Sequence, residues 1–281
     1  MDRFDSLRRQ INATQTRTFS CQFEGRKVWV KRAEFVQPRW SWVGKLLSRF
    51  NKNPLFIPTQ AAAGPEAIVD EAKRLRYLSA LDVPVPELIA AEDDWLALAD
   101  AGPSLKSWLL AAATSDSEKK QLLLAAAEAL AALHQSGRWH GRPALRDMAW
   151  DGKQIRFLDF EEDPGRVMTP AQCQVRDLLV FVHGLYRYLP ANSPIIADTI
   201  ARYKQLAPMA VWQQSVQLVD NMWLLYRLTQ LLAPVAGKDV RQAYYALRIL
   251  RSEQAKRRSR IRWLIITSLS LSFTLANHID S

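Results

Sequence analysis

The stretch that decides the fold is "RWHGRPALRDMAWDGKQIRFLDFEED", residues 138–163. A short polar loop is followed by the apolar run "IRFLDF", which is typical of a strand bounded by turns. The stretch also holds two aspartates twelve residues apart, Asp147 and Asp159. Arg142 lies in the middle of the loop, and it needs an explanation because an arginine cannot accept a proton at neutral pH.

Length, charge and cysteine content limit the classes of protein to which the chain can belong. The chain has 281 residues, 48% of them hydrophobic, which is enough for one large domain or two lobes with a packed core. Its 38 Lys and Arg residues outnumber 28 Asp and Glu residues, and a net charge of +10 attracts nucleic acid, nucleotides or anionic membranes alike. Cys21 and Cys173 are far apart, so neither a disulfide framework nor a CxxC metal site is indicated, and a reducing cytoplasmic compartment is expected. The charged N-terminus lacks the apolar core of a secretory signal.

The chain upstream of the loop reads as strands followed by a helix. Residues 18–34 contain two β-rich runs joined at Glu24-Gly25, which predicts a hairpin whose second strand ends in Lys31. A helix is predicted to begin at Pro65, after a glycine. Its periodicity puts Glu71 on the same face as two leucines, so a carboxylate is expected to turn inward.

The region that follows predicts a boundary and then helices. Residues 83–101 read as two short strands, and the Gly102-Pro103 break is the candidate boundary between two lobes. A long Ala/Leu-rich helix is expected next, with Ser117 as its cap and Gly137 as its stop. The chain beyond the decisive stretch is expected to be helical.

Four charged residues occur in an order that suits phosphoryl transfer. Such a reaction needs a cation on the nucleotide phosphates, an anion that holds this cation, and oxygen ligands for magnesium. Lys31, Glu71, Asp147 and Asp159 supply these groups in turn along the chain. The order therefore predicts ATP and Mg²⁺ as cofactors.

The same residues lie in motifs that resemble those of the protein-kinase superfamily. The carriers are "VWVK" (28–31), "ALHQSGRWHGRPALRDMAW" (132–150) and "IRFLDFEED" (155–163). They are most similar to the small bacterial branch of lipopolysaccharide core kinases, Kdo kinases and aminoglycoside-phosphotransferase-like enzymes. The resemblance spans roughly residues 19–185 and implies an α+β, two-lobed kinase-like fold. A small N-terminal β-sheet lobe with one helix would be followed by a larger, mainly helical lobe.

The resemblance also implies roles for individual residues. Lys31 would reach the α- and β-phosphates, Glu71 would pair with Lys31, and Asp159 would bind magnesium. Asp147 stands where the family has an asparagine metal ligand, and this change keeps an oxygen and adds charge. Asp177, in "QVRDLLVF", would brace the catalytic loop from below.

Two departures from the family leave the activity open. The family's loop runs His-Gly-Asp, and its orienting aspartate is replaced by Arg142, which could make the chain a silent nucleotide-binding module. Alternatively, Arg142 could hold an anionic acceptor or the transferring group, because positioning and charge contribute more than a base to phosphoryl transfer. His140 is a catalytic candidate but is more typical of a structural brace for the loop. The stretch before the first hairpin, residues 8–19, contains no glycine that would let the backbone approach the phosphates.

The remaining candidates have plain alternatives. Asp100 falls at the hinge where an adenine would dock, with its side chain expected to face solvent. Glu161 and Glu162 either assist metal binding or are simply exposed. His134 and His183 are interpreted as core or surface residues.

Two segments suggest a membrane partner. Residues 38–63 form a basic insertion with interleaved aromatic residues, which predicts either an amphipathic interfacial helix or a surface insertion packed on the domain. A basic run, 251–262, precedes the apolar run 263–276, which is shorter than the roughly 20 residues of a spanning helix. We expect an interfacial anchor, with a docked strand as the alternative.

These observations predict a division into residues 1–101, 102–250 and 251–281. The expected function is ATP-dependent phosphorylation of a glycolipid or lipopolysaccharide precursor at the cytoplasmic side of the inner membrane, where the protein would be peripheral or C-terminally anchored. The alternative is a catalytically silent adaptor that binds nucleotide or a partner protein there. Nucleic acid is disfavoured as a partner, because much of the positive excess lies in the insertion and tail.

Overall fold

The computed structural model describes residues 3–34, 63–233, 237–238 and 240–252. The chain divides into two compact units, Met1–Pro208 and Met209–Ser281. The predicted insertion, except for Ala63, and the tail from residue 253 onward lie outside the described residues. The predicted division of the chain at residues 101 and 250 stays a prediction.

The N-terminal part of the first unit is a small antiparallel sheet with two helices. Its elements are α1 (Asp5–Asn12), β1 (Thr18–Phe23), β2 (Arg26–Arg32), α2 (Pro65–Ser79), β3 (Leu88–Ala91) and β4 (Trp95–Ala99). Its strands lie in the order β1-β2-β4-β3, and the β1–β2 hairpin turns at Glu24 and Gly25. Both turn residues have positive φ, 50° and 73°, as the tight turns that join twisted strands require. The predicted hairpin is thus confirmed.

Helix α1 precedes the sheet, although the sequence was expected to open with strands. Leu7 and Ile11 are four residues apart, so they lie on one face of the helix. Both are buried in a cluster with Phe23, Val28 and other side chains of the sheet. The apolar face therefore needs the sheet to cover it, and α1 closes one side of this small core.

Helix α2 carries the predicted inward carboxylate. It begins at Pro65 directly after Gly64, whose positive φ of 65° is a conformation that favours glycine. Ile68 packs with Leu96 of the sheet, and Leu75 is buried. Glu71 is 1% exposed on this same face, which confirms the prediction that it turns inward.

The rest of the first unit is mostly helical. The cap of the long helix α4 (Asp116–Gln135) is Ser115 and not Ser117, so that prediction was wrong. Ser115 accepts a hydrogen bond from the backbone N–H of Glu118, whose carboxylate accepts in return from the backbone N–H of Ser115. The helix ends at Gln135, and Gly137 adopts a φ of 75°, as expected of a stop. The elements are α3 (Leu105–Leu110), α4 (Asp116–Gln135), β5 (Met148–Trp150), β6 (Ile155–Phe157), a 3-10 turn (Pro164–Arg166), α5 (Pro170–Tyr188) and α6 (Pro194–Leu206).

The two-stranded sheet β5–β6 brings the two aspartates of the decisive stretch together. Met148 pairs with Phe157, so Asp147 precedes β5 at the same end where Asp159 follows β6. The backbone N–H of Leu158 donates to the carbonyl of Asp147 at 2.8 Å. Residues twelve apart in sequence are therefore neighbours in space.

The second unit contains α7 (Met209–Asn221), α8 (Trp223–Leu232) and helical residues within 240–252. Within the described part of the chain, no helix is both long enough and apolar enough to span a bilayer. Helix α8 nevertheless presents large apolar side chains to solvent, each 46–74% exposed: Trp223, Leu224, Leu228, Leu231 and Leu232.

Candidate functional site

Lys31 of β2 lies at the centre of the candidate site. Its Nζ is 2.8 Å from Glu71 Oε2 on helix α2, and 2.9 Å from both Asp159 Oδ1 and Glu161 Oε1. The lysine side chain is 14% exposed and the Glu71 side chain 1%. Strand, helix and decisive stretch thus meet at one ammonium group.

These contacts set the charges of the cluster. Burial by itself would lower the pKa of Lys31, but the neighbouring carboxylates outweigh it and the pKa lies above its ordinary value. Burial also opposes ionisation of Asp159, yet Lys31 and then Arg142 lower the pKa of this carboxyl to about 2. Burial raises the pKa of Glu71, against the attraction of Lys31. Lys31 and Asp159 are therefore both charged at neutral pH.

Asp159 is aimed by an uncommon backbone conformation. Its φ is 63°, in the left-handed region that asparagine and aspartate tolerate better than most residues. The next N–H, that of Phe160, donates to Glu71 Oε1 at 3.1 Å. Such strained positions cluster at functional sites.

The loop at residues 139–142 is held by a buried carboxylate. Asp177 of α5 is 0% exposed and accepts from the N–H of His140 at 2.5 Å and from the N–H of Gly141 at 2.8 Å. The resemblance implied that Asp177 would brace the loop, and the structure brings it to the two consecutive amides where it can do so.

His140 is built into this brace. The ring nitrogens hydrogen-bond the main chain, Nε2 to the carbonyl of Leu158 at 2.9 Å and Nδ1 to the N–H of Arg142 at 3.2 Å. The ring also stacks on Phe160, 4.6 Å between centroids. Burial lowers the pKa of His140 to about 4, so the imidazole is neutral at physiological pH. These contacts suit a structural brace, and a catalytic role for His140 stays a prediction.

Arg142 points at the carboxylates of the decisive stretch. Its Nη2 lies 2.9 Å from Asp159 Oδ2 and 3.7 Å from Asp147 Oδ2, while Nη1 lies 3.5 Å from Glu162 Oε1. The arginine therefore faces the inside of the site, among acids that would otherwise repel one another.

Asp147 has a carboxylate oxygen that could still bind a metal ion. Its Oδ2 is buried and has no hydrogen-bond partner among the described residues, which is costly for a carboxylate oxygen. Burial, and then the charge of Asp159, raise the pKa of Asp147 to about 6. Carboxylate oxygens are hard ligands of the kind magnesium prefers, so Asp147 and Asp159 fit the group that the sequence predicts. A second acidic cluster, Glu71 with Asp159 and Glu161, is already bridged by Lys31.

Asp100 is not brought into this cluster. Its Oδ1 accepts from Trp29 Nε1 at 2.6 Å and lies 3.2 Å from Lys27 Nζ, both on β2. The residue is exposed, as the sequence predicted. Its proposed part in binding the nucleotide stays a prediction.

Arg74 was missed by sequence reasoning. This residue of α2 donates from Nη1 to the carbonyl of Glu162 at 2.6 Å and from Nη2 to the carbonyl of His140 at 2.9 Å. It also lies over the Phe160 ring, and burial lowers its pKa. Arg74 ties the helix that carries Glu71 to the loop. Helical spacing offered the signal, because residues 71, 74, 75 and 78 share one face.

A lysine–glutamate pair, two aspartates at one end of a two-stranded sheet and a loop braced by a buried carboxylate together define the class of kinase-like phosphotransferases. Consistent with this, the family model described as "Phosphotransferase enzyme family" matches residues 18–210. The chain belongs to that family, in the aminoglycoside-phosphotransferase-like branch of the protein-kinase-like superfamily. Its mixed α+β architecture, a small N-terminal sheet followed by a larger helical part, is the predicted one.

The chain is also similar to individual proteins. An uncharacterized protein of Haemophilus influenzae is 25% identical over 228 residues, which cover 81% of this chain and 87% of that protein. A crystal structure of an aminoglycoside-3'-phosphotransferase of type VIII is 11% identical, with a TM-score of 0.45, over 89% of this chain and 100% of the other.

Proposed function

We propose that the protein is an ATP- and Mg²⁺-dependent phosphotransferase that acts on a hydroxyl acceptor. Family membership supports phosphotransferase chemistry in general. The observation that carries the finer proposal is the contact of Lys31 with both Glu71 and Asp159, at 2.8 and 2.9 Å. Those contacts link a cation suited to phosphates with a carboxylate suited to a metal.

Each residue has a role in such a reaction. Lys31 would bind the nucleotide phosphates, and Glu71 would hold the ammonium in place. Asp147 and Asp159 would hold the magnesium ion, which when bound neutralises charge on the phosphates. Arg142 would stabilise negative charge on the transferring group or on the acceptor, since it cannot act as a base. Catalysis would then rest on positioning and electrostatics.

Thermal-shift titration with Mg-ATP tests the nucleotide site. A ligand that binds the native state at about 100 times its Kd stabilises it by roughly 2.7 kcal/mol. We expect this stabilisation in the parent and its loss in Lys31→Ala and Asp159→Asn. Lys27→Ala is the matched control, because Lys27 lies on the same strand with its side chain 47% exposed. Equal shifts in Lys31→Ala and Lys27→Ala would contradict the proposal.

The proposed acceptor is a glycolipid or lipopolysaccharide precursor at the cytoplasmic side of the inner membrane. Three features support a membrane surface as partner. The net charge is +10, the sequence of the C-terminal run is basic and then apolar, and α8 exposes a set of large apolar side chains. Exposed apolar patches of this kind are typical of interaction sites.

Sedimentation with vesicles tests the membrane part. We expect the protein to pellet with anionic phosphatidylglycerol vesicles. The pelleted fraction should fall in the double variant Leu228→Glu/Leu231→Glu on α8 and after deletion of residues 253–281. Leu110→Glu, at a leucine that is 62% exposed on α3, controls for a general effect of added charge. If all variants pellet like the parent, or the parent does not pellet, the surface proposal is wrong.

Transfer of labelled γ-phosphate tests the acceptor. The parent is incubated with Mg-ATP and a total lipid extract, and label is measured in the lipid fraction. Label that depends on Asp159 supports the glycolipid proposal. Label that stays in ATP, or is released as free phosphate regardless of added lipid, argues against it.

A second candidate is a catalytically silent adaptor that binds nucleotide at the membrane. The contact of Arg142 with Asp159, at 2.9 Å, favours it, because a cation already neutralises the expected metal ligand. This candidate predicts nucleotide binding in the thermal-shift experiment without γ-phosphate transfer to lipid, sugar or protein fractions.

A further inference from the structure

Both carboxylate oxygens of Asp159 are paired with cationic side chains. Oδ1 lies 2.9 Å from Lys31 Nζ, and Oδ2 lies 2.9 Å from Arg142 Nη2. The same Nη2 atom is 3.7 Å from Asp147 Oδ2. One guanidinium nitrogen therefore lies within 3.7 Å of both carboxylates that would hold a divalent ion.

A divalent ion and this nitrogen exclude each other. Magnesium binds oxygen at about 2.0–2.1 Å, and Nη2 already contacts Asp159 Oδ2 and lies 3.7 Å from Asp147 Oδ2, the two groups that would hold the ion. The two cations would also repel each other strongly at that separation. The guanidinium must turn away before such an ion can bind.

Arg142 satisfies the two carboxylates unequally. The distance of 2.9 Å to Asp159 is a hydrogen bond, whereas 3.7 Å to Asp147 is too long for one. Asp147 Oδ2 is therefore a buried oxygen without a hydrogen-bond partner among the described residues. A cation that contacts both carboxylates closely would therefore stabilise this pair more than Arg142 does.

A second acceptor for the guanidinium lies at hand. Glu162 Oε1 is 3.5 Å from Arg142 Nη1, and Glu162 is fixed by Arg176 Nη2 at 2.8 Å from its Oε2. A small rotation of Arg142 would strengthen this contact and release Asp159.

We propose that Arg142 is an internal cation that competes with the divalent ion for Asp147 and Asp159, and that it moves towards Glu162 when the ion binds. The inference rests on the proposed function, because it concerns the same metal site, and it adds a condition on metal entry. Free metal would bind weakly, and a metal–nucleotide complex would bind better because its phosphates also accept hydrogen bonds from the displaced guanidinium.

Titration with Mn²⁺ alone tests this on the full chain without nucleotide, with the free ion measured by its EPR signal. We expect Arg142→Gln to bind Mn²⁺ about tenfold more tightly than the parent, or better. Arg146→Gln is the matched control, because it removes the same charge from Asp147, 3.3 Å away, at a side chain that is 52% exposed. Because the Arg146 guanidinium is half exposed and screened by water, its loss should change the affinity for Mn²⁺ by about threefold or less.

Two more variants test whether the charge at position 142 and the carboxylate of Asp159 cause the change in Mn²⁺ affinity. Arg142→Lys keeps the charge and should stay within about threefold of the parent, since ammonium can also pair with the carboxylates. Asp159→Asn, added to Arg142→Gln, should remove the gain. Far-UV circular dichroism checks each fold, and Arg142→Met takes the place of Arg142→Gln if that variant does not fold.

The inference is overturned if Arg142→Gln binds Mn²⁺ no more tightly than Arg146→Gln, if its gain persists without Asp159, or if no variant binds Mn²⁺. Failure here is distinct from failure of the proposed function. A parent that transfers phosphate although Arg142→Gln gains no affinity refutes the competition alone. Tighter Mn²⁺ binding in a chain that transfers no phosphate refutes the enzyme alone.

Discussion

Replacing Lys31 by methionine isolates the energetics of the buried ion pair. Methionine keeps much of the length of the side chain and removes the ammonium that lies 2.8 Å from Glu71 Oε2. Glu71 is 1% exposed, and its other oxygen accepts from the N–H of Phe160. The variant therefore leaves a buried carboxylate with one of its two partners missing.

The expected cost follows from this burial. Removing one partner of a buried ion pair costs about 3–5 kcal/mol of unfolding free energy. We expect about 3 kcal/mol near neutral pH. The lower end applies because Lys31 is 14% exposed, so water can partly solvate what remains. A cost of this size exceeds the uncertainty of chemical denaturation.

The cost should depend on pH, because Glu71 can escape it by taking up a proton. Burial already raises the pKa of Glu71, and loss of Lys31 removes the attraction that opposes this. A carboxyl whose folded pKa is raised stabilises the fold below its unfolded pKa and loses that stabilisation as the pH rises through the folded value. The destabilisation by Lys31→Met should thus be largest near neutral pH and shrink towards about pH 4.5.

Urea denaturation, followed by tryptophan fluorescence and far-UV circular dichroism at pH 7.5 and pH 5, measures these effects. Glu71→Gln combined with Lys31→Met should recover much of the loss, because no buried charge is then left unpaired. Lys27→Met, which breaks an exposed contact with Asp100, should cost at most about 1 kcal/mol. The reasoning is refuted if Lys31→Met is as mild as Lys27→Met, or if the effects of Lys31→Met and Glu71→Gln simply add.

Three more predictions concern the loop and the turns. Asp177→Asn should cost about 2–3 kcal/mol of unfolding free energy in urea denaturation, since one of its two accepting oxygens becomes a donor facing an N–H; no loss would show that the brace is dispensable. His140, with a pKa of about 4, should make stability fall as the pH drops from about 6.5 to 4, by about 3 kcal/mol, because the unfolded chain binds the proton first; a His140→Gln variant with an equally steep stability curve would contradict this. Gly102→Ala should impair folding, seen as loss of soluble protein, because its φ is 80° and the new Cβ would overlap the carbonyl of Trp150. Gly25→Ala, with φ 73° and no atom within 4 Å of its Cβ, should cost only about 1 kcal/mol, and equal effects of the two substitutions would refute the steric argument.

The resemblance to the kinase superfamily, carried by the order of the charged motifs, implied which residues meet. Lys31, Glu71 and Asp159 are spread over 129 positions, yet periodicity and turn signals put each at the end or on the inner face of a predicted element. Local rules could also have found the correct helix cap. Ser115 stands three residues before Glu118, which is the capping-box spacing, whereas Ser117 does not.

Other features depended on tertiary contacts. Helix α1 has two buried apolar side chains, Leu7 and Ile11, and little else distinguishes it from a charged leader. The partners of Arg142 could not be read from sequence, since they depend on the left-handed backbone of Asp159. A rotation about one bond decides whether such an arginine faces solvent or a carboxylate, and residue spacing carries no information about that rotation.

The carboxylate of Asp177 holds the loop by accepting hydrogen bonds from the backbone amides of residues 140 and 141. Those amides are the same whatever side chain follows them. The side chain at position 142 can therefore differ from the aspartate that the resemblance implies there without loss of these two hydrogen bonds. The main chain of the loop and the side chain that faces the carboxylates are thus held by different contacts.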